Sequence, residues 1–114
     1  MPDKLHIEVE KPRDGLVVIR PSGAVDLASS PALRSILGEA IAESPARVVV
    51  DLTQVPYMDS SGVATLVEAL QQSRKKSILF ALCALQDRVN SVFEIARLDT
   101  VFDIKPDLAS ACGD

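Results

Sequence analysis

Tryptophan is absent and aromatic residues make up only 4% of the chain. The interior must therefore be aliphatic, and the platforms on which single-stranded nucleic acids stack are missing. Basic residues are outnumbered, and the formal net charge is -4. A general nucleic-acid binder needs a basic surface to displace counterions, so no direct nucleic-acid partner is expected. There is one histidine, His6, in a predicted strand, and a serine or cysteine nucleophile would need such a base within reach. The two cysteines, Cys83 and Cys112, show no C-x-x-C or Cys/His spacing. Neither a zinc site nor a disulfide framework is supported, and no metal or cofactor is expected. Cys83 lies in the apolar run "ILFALCAL", where a buried, reduced thiol fits a cytosolic protein. No apolar run approaches the roughly 18 residues of a membrane-spanning helix, and "MPDKLHIEVEKPRDG" has no apolar core of signal-peptide length. A cytoplasmic location without membrane insertion is expected.

What remains is an ordinary globular composition, 47% apolar and 25% charged over 114 residues. That length suits one domain, residues 1–114, with a single modest core. "LHIEVE" (Leu5 to Glu10) alternates as a half-buried strand does. "RDG" signals a turn, and "LVVIRPSG" (Leu16 to Gly23) reads as a second strand, so the two predict an antiparallel hairpin at a sheet edge. In "SSPALRSILGEAIAE", Ser30 is placed to cap a helix and Pro31 suits its first turn. Leu33, Ile36, Leu37, Ala40 and Ile41 form its apolar stripe. Gly38 weakens that helix by about 1 kcal/mol relative to alanine. "RVVVDL" (Arg47 to Leu52) is the continuous run of a central strand covered on both faces. Val63, Leu66, Val67 and Leu70 make a second helical stripe, which ends in "SRKK" (Ser73 to Lys76), where cations complement the helix dipole. "SILFALC" (Ser77 to Cys83) is a further buried strand. Val89, Val92, Phe93 and Ala96 mark a third helix. "TVFDI" reads as a last short strand, and residues 105–114 as a short helix or a frayed tail.

Strands alternating with helices predict an α/β domain with a mixed, mostly parallel sheet and helices packed against it. In such sheets, binding sites lie beyond the carboxyl ends of the strands. The segment "MDSSG" stands just past one such end, and three readings apply. Asp59 or Ser60 can cap the following helix through a side-chain oxygen, with Gly62 relaxing steric demands in the first turn. A serine could be a nucleophile, but Met58 and Asp59 stand where a G-x-S-x-G elbow needs glycine, and no base is in evidence; this argues against an enzyme. A serine could also accept a phosphate, since a helix start offers exposed N–H groups and a positive dipole end. Its added charge of about −1.5 to −2 would then change the surface, opposed by Asp59 and Asp26. Asp26, in "SGAVDLASS", reads either as a turn residue or as part of the surface around the serines.

Three stretches together carry a family resemblance. "SGAVDLASSPALRSIL", "VVVDLTQVPYMDSSGVATLVEAL" and "LCALQDRVNSVFEIARLDTVFDI" resemble the first-helix approach, the central strand with phospho-loop and second helix, and the fourth strand with its exit in STAS domains of the bacterial anti-sigma-factor antagonist type. One departure is Arg97 before Leu98, where many relatives have glycine or a small residue. The resemblance implies a single STAS-like domain. It also implies a protein that, unphosphorylated, binds an anti-sigma factor that is a serine kinase of the histidine-kinase-like ATPase fold, and so frees a sigma factor. The kinase, with its own ATP and magnesium, phosphorylates a loop serine, and a PP2C-type phosphatase resets the system. The matching acceptor is Ser61, with Ser60 as the alternative. Asp26, Asp59, Ser60, Ser61 and Gly62 are the implied partner-binding residues, and the free protein is expected to be a monomer. The alternative is a stand-alone STAS subunit of a lipid-transport ABC complex or a stress-signalling scaffold, in which the same loop is a constitutive interface.

Overall fold

The period-two alternation of the strands decides how the molecule is layered. In a computed structural model of the chain, which describes residues 5–113, the elements run β1 (His6–Arg13), β2 (Leu16–Ser22), α1 (Ser30–Ala42), β3 (Arg47–Asp51), α2 (Ser60–Lys75), β4 (Leu79–Cys83), α3 (Asp87–Ile95), β5 (Asp103–Lys105) and α4 (Leu108–Cys112). They form one sheet in the order β1-β2-β3-β4-β5. The β1–β2 pair is antiparallel and every other pair is parallel. This is the α/β, mostly parallel arrangement that the sequence predicts, with the hairpin at one edge.

Alternate residues of the central strands serve two separate cores. Val17, Ile19, Val48, Val50, Phe80 and Leu82 share the larger one with Leu33 and Leu37 of α1, Leu66 and Leu70 of α2, and Val89 and Phe93 of α3. Crossovers of one hand that step one strand at a time lay their helices on the same face. Leu16, Val18, Val49, Ala81 and Cys83 point the other way, where Ala111 and Cys112 of the short α4 cover them. Asp107 caps α4 by accepting from the Ser110 amide at 2.8 Å. At its other end, Arg47 donates to the Ala111 carbonyl at 3.0 Å, and Arg13 donates to that of Cys112. Helix α4 is therefore a lid on the second face, formed by the short helix that is one of the two sequence readings of residues 105–114. Burial beneath it, with the negative charge of Asp51 adding to the effect, pushes the Cys83 thiol up to about 12.

Several boundaries differ from the sequence expectation. Strand β1 runs on to Arg13, with an irregularity between Glu10 and Arg13. Leu5 and Ile7 pack on the core, but Val9 is 46% exposed, because an edge strand outruns the cover that the helices provide. Helix α1 takes Ser29, not Ser30, at its capping position, and no side-chain bond caps it; Ser30 is its first residue and is buried. In "TVFDI", the amides of Val101 and Phe102 both donate to Leu98. That turn delays the last strand to Asp103, while Phe102 packs edge-on against Phe93 with ring centroids 5.3 Å apart. The cations of "SRKK" act as helix-end donors across elements as well. Lys76 reaches the carbonyls of Ile41 and Ala42 at the end of α1, and Arg74 that of Val101.

Ala96 falls just outside α3, whose end shows why position 97 favours a small residue. The Leu98 amide donates to Phe93 and the Arg97 amide to Glu94, and Arg97 has φ +60°. This double-bonded helix end puts its left-handed residue where glycine is preferred. A left-handed side chain costs about 1–2 kcal/mol, offset by the 0.5–1 kcal/mol or so that glycine loses in unfolded-state entropy. Arg97→Gly is expected to raise stability by up to about 1 kcal/mol, read as a higher midpoint in urea. A lower midpoint would show that the arginine side chain contributes something that the backbone geometry does not.

Candidate functional site

Two loops leave the carboxyl edge of the sheet, one between β2 and α1 and the other between β3 and α2. Backbone bonds zip them together. Gly23 donates to Gln54 at 2.9 Å, Val25 to Tyr57 at 3.0 Å, and Asp59 back to Val25 at 3.1 Å. The start of α1 and the start of α2 are thus one structural unit, with Val25 and Met58 paired and fully buried beneath it.

Asp59 is the residue on which this unit closes. One carboxylate oxygen accepts the amides of Ser61 at 2.9 Å and Gly62 at 3.2 Å, capping α2, and also the Ser61 hydroxyl at 2.5 Å. The other accepts the amide of Leu27, across the loops, at 3.2 Å. Of the two capping candidates, Asp59 is therefore the cap. These bonds hold its carboxyl below the ordinary value of 3.8, with the Ser61 hydroxyl as the largest cause. Hydrogen bonds to a charged carboxylate favour that form.

Asp26 shapes a turn at the edge of the same unit. One of its oxygens accepts the amides of Ala28 and Ser29, both at 3.0 Å, and its own amide donates to the Ser29 hydroxyl oxygen at 2.9 Å. It shapes the turn that delivers Leu27 to Asp59. Gly62 is buried, and its role differs from the expectation. A Cβ there would lie 2.6 Å from Met58 Cγ, 2.8 Å from Val25 Cγ1 and 2.9 Å from the Val25 carbonyl oxygen. The glycine lets the two loops approach each other, and it supports the surface from beneath.

Ser60 is exposed and Ser61 half-buried. Ser61 lies on the rim of a hollow of about 310 Å3 bounded by Leu27, Pro31, Arg34, Thr65 and Glu68. Neither serine is bonded to His6, whose ring lies 3.8 Å from Glu8; the Ser61 hydroxyl is bonded to the Asp59 carboxylate instead. The first-turn amides also differ from the expectation. Those of Ser61 and Gly62 already bind Asp59, and that of Val63 binds the Asp59 carbonyl, which leaves of the first turn only the Ser60 amide and no cradle of several donors for a phosphate.

The structure adds residues that the motif did not contain. Leu27 is 76% exposed and Tyr57 44% exposed beside the loops. Leu27 had a sequence signal, an apolar side chain directly after Asp26, for which a turn is one of the two readings. Thr65 and Glu68 stand four and seven residues after Ser61, the spacing of one helix face. Arg34 comes from α1 and has no local signal. It pairs with Glu68 across the groove between the helices at 2.8 Å.

Two variants test this geometry. Gly62→Ala is expected to cost about 1–3 kcal/mol, the range for overpacking, since two of its three clashes are with tightly packed atoms at the loop junction; a denaturation midpoint equal to wild type would contradict the close approach. Asn also caps helices, so Asp59→Asn is expected to cost about 0.3–1 kcal/mol at neutral pH, the range for losing a negative charge at a helix N-terminus. Because the folded pKa of Asp59 is depressed, its contribution is fully present above the unfolded value near 3.8 and is lost as pH falls through the lower folded value. Urea midpoints of the two proteins should converge in that acid window. A gap that persists unchanged there would mean that the charge is not responsible.

The comparisons with known proteins agree with this architecture. The family model described as STAS domain matches residues 6–111. The protein named anti-sigma-B factor antagonist of Bacillus subtilis (strain 168) is 30% identical over 101 residues, spanning 88% of this chain and 92% of that protein. The solved structure of an anti-sigma factor antagonist from Mycobacterium paratuberculosis has a TM-score of 0.89 at 29% identity, covering 100% of this chain and 98% of that one. SpoIIAA of Bacillus shares the fold at 20% identity. Its unphosphorylated form has a TM-score of 0.80, covering 93% of this chain and 92% of that one, and its phosphorylated form 0.74, covering 93% and 96%. On a match that runs from residue 6 to residue 111, the chain belongs to the STAS domain family.

Proposed function

We propose that the protein is an anti-sigma-factor antagonist switched by phosphorylation at Ser61. In this reading the unphosphorylated form binds an anti-sigma factor that is also a serine kinase of the histidine-kinase-like ATPase fold, and the sigma factor is released. The observation that carries the reading is the Ser61 hydroxyl. It is held by Asp59 at 2.5 Å on the rim of a surface hollow, beside the exposed Leu27. A relative of 30% identity carries the name anti-sigma-B factor antagonist, which supports the partner class.

The transfer step places few demands on this chain. The Ser61 oxygen attacks the γ-phosphorus of ATP bound by the kinase, the new O–P bond forms as the bond to the β-phosphate bridge breaks, and ADP leaves. The hydroxyl proton lies on its bond to Asp59 and is lost to solvent. Catalysis of such a transfer is mostly positioning and charge stabilisation, which the kinase supplies with its magnesium. The antagonist contributes a serine held in one orientation. A PP2C-type phosphatase would hydrolyse the ester and return the hydroxyl to Asp59. A kinase that draws on ATP implies a cytoplasmic location in this reading. Among the described residues no helix is long and apolar enough to cross a membrane.

A phosphate buried against a partner without good pairing costs several kcal/mol, and each 1.4 kcal/mol is about tenfold in affinity. One ester can therefore release the complex without refolding either protein. Phosphopeptide mass spectrometry on protein recovered from its own cells, across growth and stress, is expected to find phosphate on Ser61 with variable occupancy. In calorimetric titration, Ser61→Asp is expected to weaken binding to the kinase at least tenfold and at least as much as Ser61→Ala does. Absence of phosphate under every condition, together with both variants binding like wild type, would overturn the switch in favour of a constitutive interface.

A further inference from the structure

With the Ser61 and Gly62 amides bound to Asp59 and the Val63 amide bound to the Asp59 carbonyl, a phosphate on Ser61 finds no helix-end cradle. It also cannot stay where the hydroxyl is. Esterification removes the proton that the Ser61 oxygen donates to Asp59, and a dianion beside an ionised carboxylate is repelled. The side chain must turn away from Asp59. The hollow bounded by Leu27, Pro31, Arg34, Thr65 and Glu68 lies beside it, and its cation is Arg34.

Arg34 is already engaged, but on terms that a phosphate can outbid. Its guanidinium bonds Glu68 at 2.8 Å and 2.9 Å in the groove between α1 and α2. Glu68 carries one negative charge and follows Ser61 by seven residues, about 10 Å along the helix axis. Side chains on a helix lean towards its N-terminus, so the carboxylate is displaced towards Ser61. Arg34 borders both the hollow at Ser61 and the neighbouring one further along the groove. Its side chain is 65% exposed, so the guanidinium has solvent rather than packed side chains around it when it changes partner. A charge of nearly −2 with three acceptor oxygens binds a guanidinium more strongly than a single carboxylate does.

We infer that Arg34 is the positioning residue for the phosphorylated state, leaving Glu68 to hold the phosphate of Ser61 in the groove between α1 and α2. This rests on Ser61 as the acceptor. The exchange turns the ester into the hollow beside Leu27, so a partner that docks there meets a dianion fixed in place rather than one free to move aside. It also leaves Glu68 without its cation, which adds a second negative charge to the same rim. Thr65 is tied to the Ser61 carbonyl at 2.9 Å, which holds the first turn in place while the side chain above it moves.

The test uses full-length protein with phosphoserine installed at position 61 by genetic encoding, so its outcome does not depend on whether a kinase modifies the chain in cells. At low ionic strength, where ion pairs are least screened, the phosphate is titrated by 31P NMR in the wild-type sequence, Arg34→Gln and Arg34→Ala. Both variants are expected to raise the second phosphate pKa by about half a unit or more, roughly threefold in proton affinity. The side-chain Nε–H resonance of Arg34 is expected to shift between the unmodified and phosphorylated wild-type proteins. Equal titration midpoints in all three proteins, or an Arg34 resonance that phosphorylation leaves in place, would overturn the inference. The resonance alone decides should a variant fail to fold. Failure here, with phosphate found on Ser61 in cells, would leave the switch standing and remove Arg34 from it; the reverse pattern would remove the switch.

Discussion

The carboxylate of Asp59 is the joint on which the functional end of this molecule depends. It binds donors from two loops that are separate in sequence: the amides of Ser61 and Gly62 with the Ser61 hydroxyl on one oxygen, and the amide of Leu27 on the other. A serine or threonine cap accepts well at a helix start, but a hydroxyl has one oxygen and could not serve both loops at once. An ionised carboxylate can, because it is an acceptor only, with about four lone-pair sites. Its charge also suits the positive end of the helix dipole. The cap contributes to stability, and it also fixes the orientation of the serine that it serves, so structural and functional roles reside in the same bonds.

The sheet makes that joint possible by holding the two loops at one edge. β2 and β3 are parallel neighbours in the centre of the sheet, and their carboxyl ends open side by side. The zipper from Gly23 to Gln54 and from Val25 to Tyr57 then continues the pairing beyond the strands. Close approach at this point needs the absence of a side chain at Gly62, where Val25 and Met58 fill the space that a Cβ would take. The second face has a different solution. There α4 is fastened by arginines to its last carbonyls, which keeps Cys83 dry and protonated far above neutral pH. The site end and the lid end share the central strands and serve them on opposite faces.

Much of this was legible in the sequence because it is written in periodicity. The stripes of α1 and α2 and the β-branched run of β3 name their own buried faces, and "MDSSG" announces a helix start in a parallel sheet. What the sequence did not show depends on contacts between segments far apart in the chain. Asp26 carries the same signal whether it shapes a turn or not, and only its bonds to Ala28 and Ser29 show that it does. Gly62 looks like a relaxed first-turn residue until Val25 is placed above it. Cys112 looks like a tail residue until α4 folds onto the sheet. Arg34 is the one arginine on α1 and reads as an ordinary exposed charge, and its meaning comes from Glu68 on the next helix. The left-handed Arg97 is the converse case, a departure noticed in the sequence whose cause is a backbone angle.

The charges around Ser61 make a switch at this position local. Two unit charges 4 Å apart near a protein surface interact by about 4 kcal/mol, and a phosphoserine brings nearly two. Asp59 cannot yield, because the amides that it caps hold it in place and keep it ionised. Glu68 cannot neutralise the new charge, being of the same sign. Of the described residues around the hollow only Arg34 has the opposite sign, and its guanidinium sits at the end of a flexible side chain on an exposed face. The energy of the modification is therefore relieved by rotating side chains rather than by shifting helices, and the sheet beneath need not move. A fold that answers phosphorylation in this way presents a partner with the same shape and a different charge, which is what a partner must read to tell the two states apart.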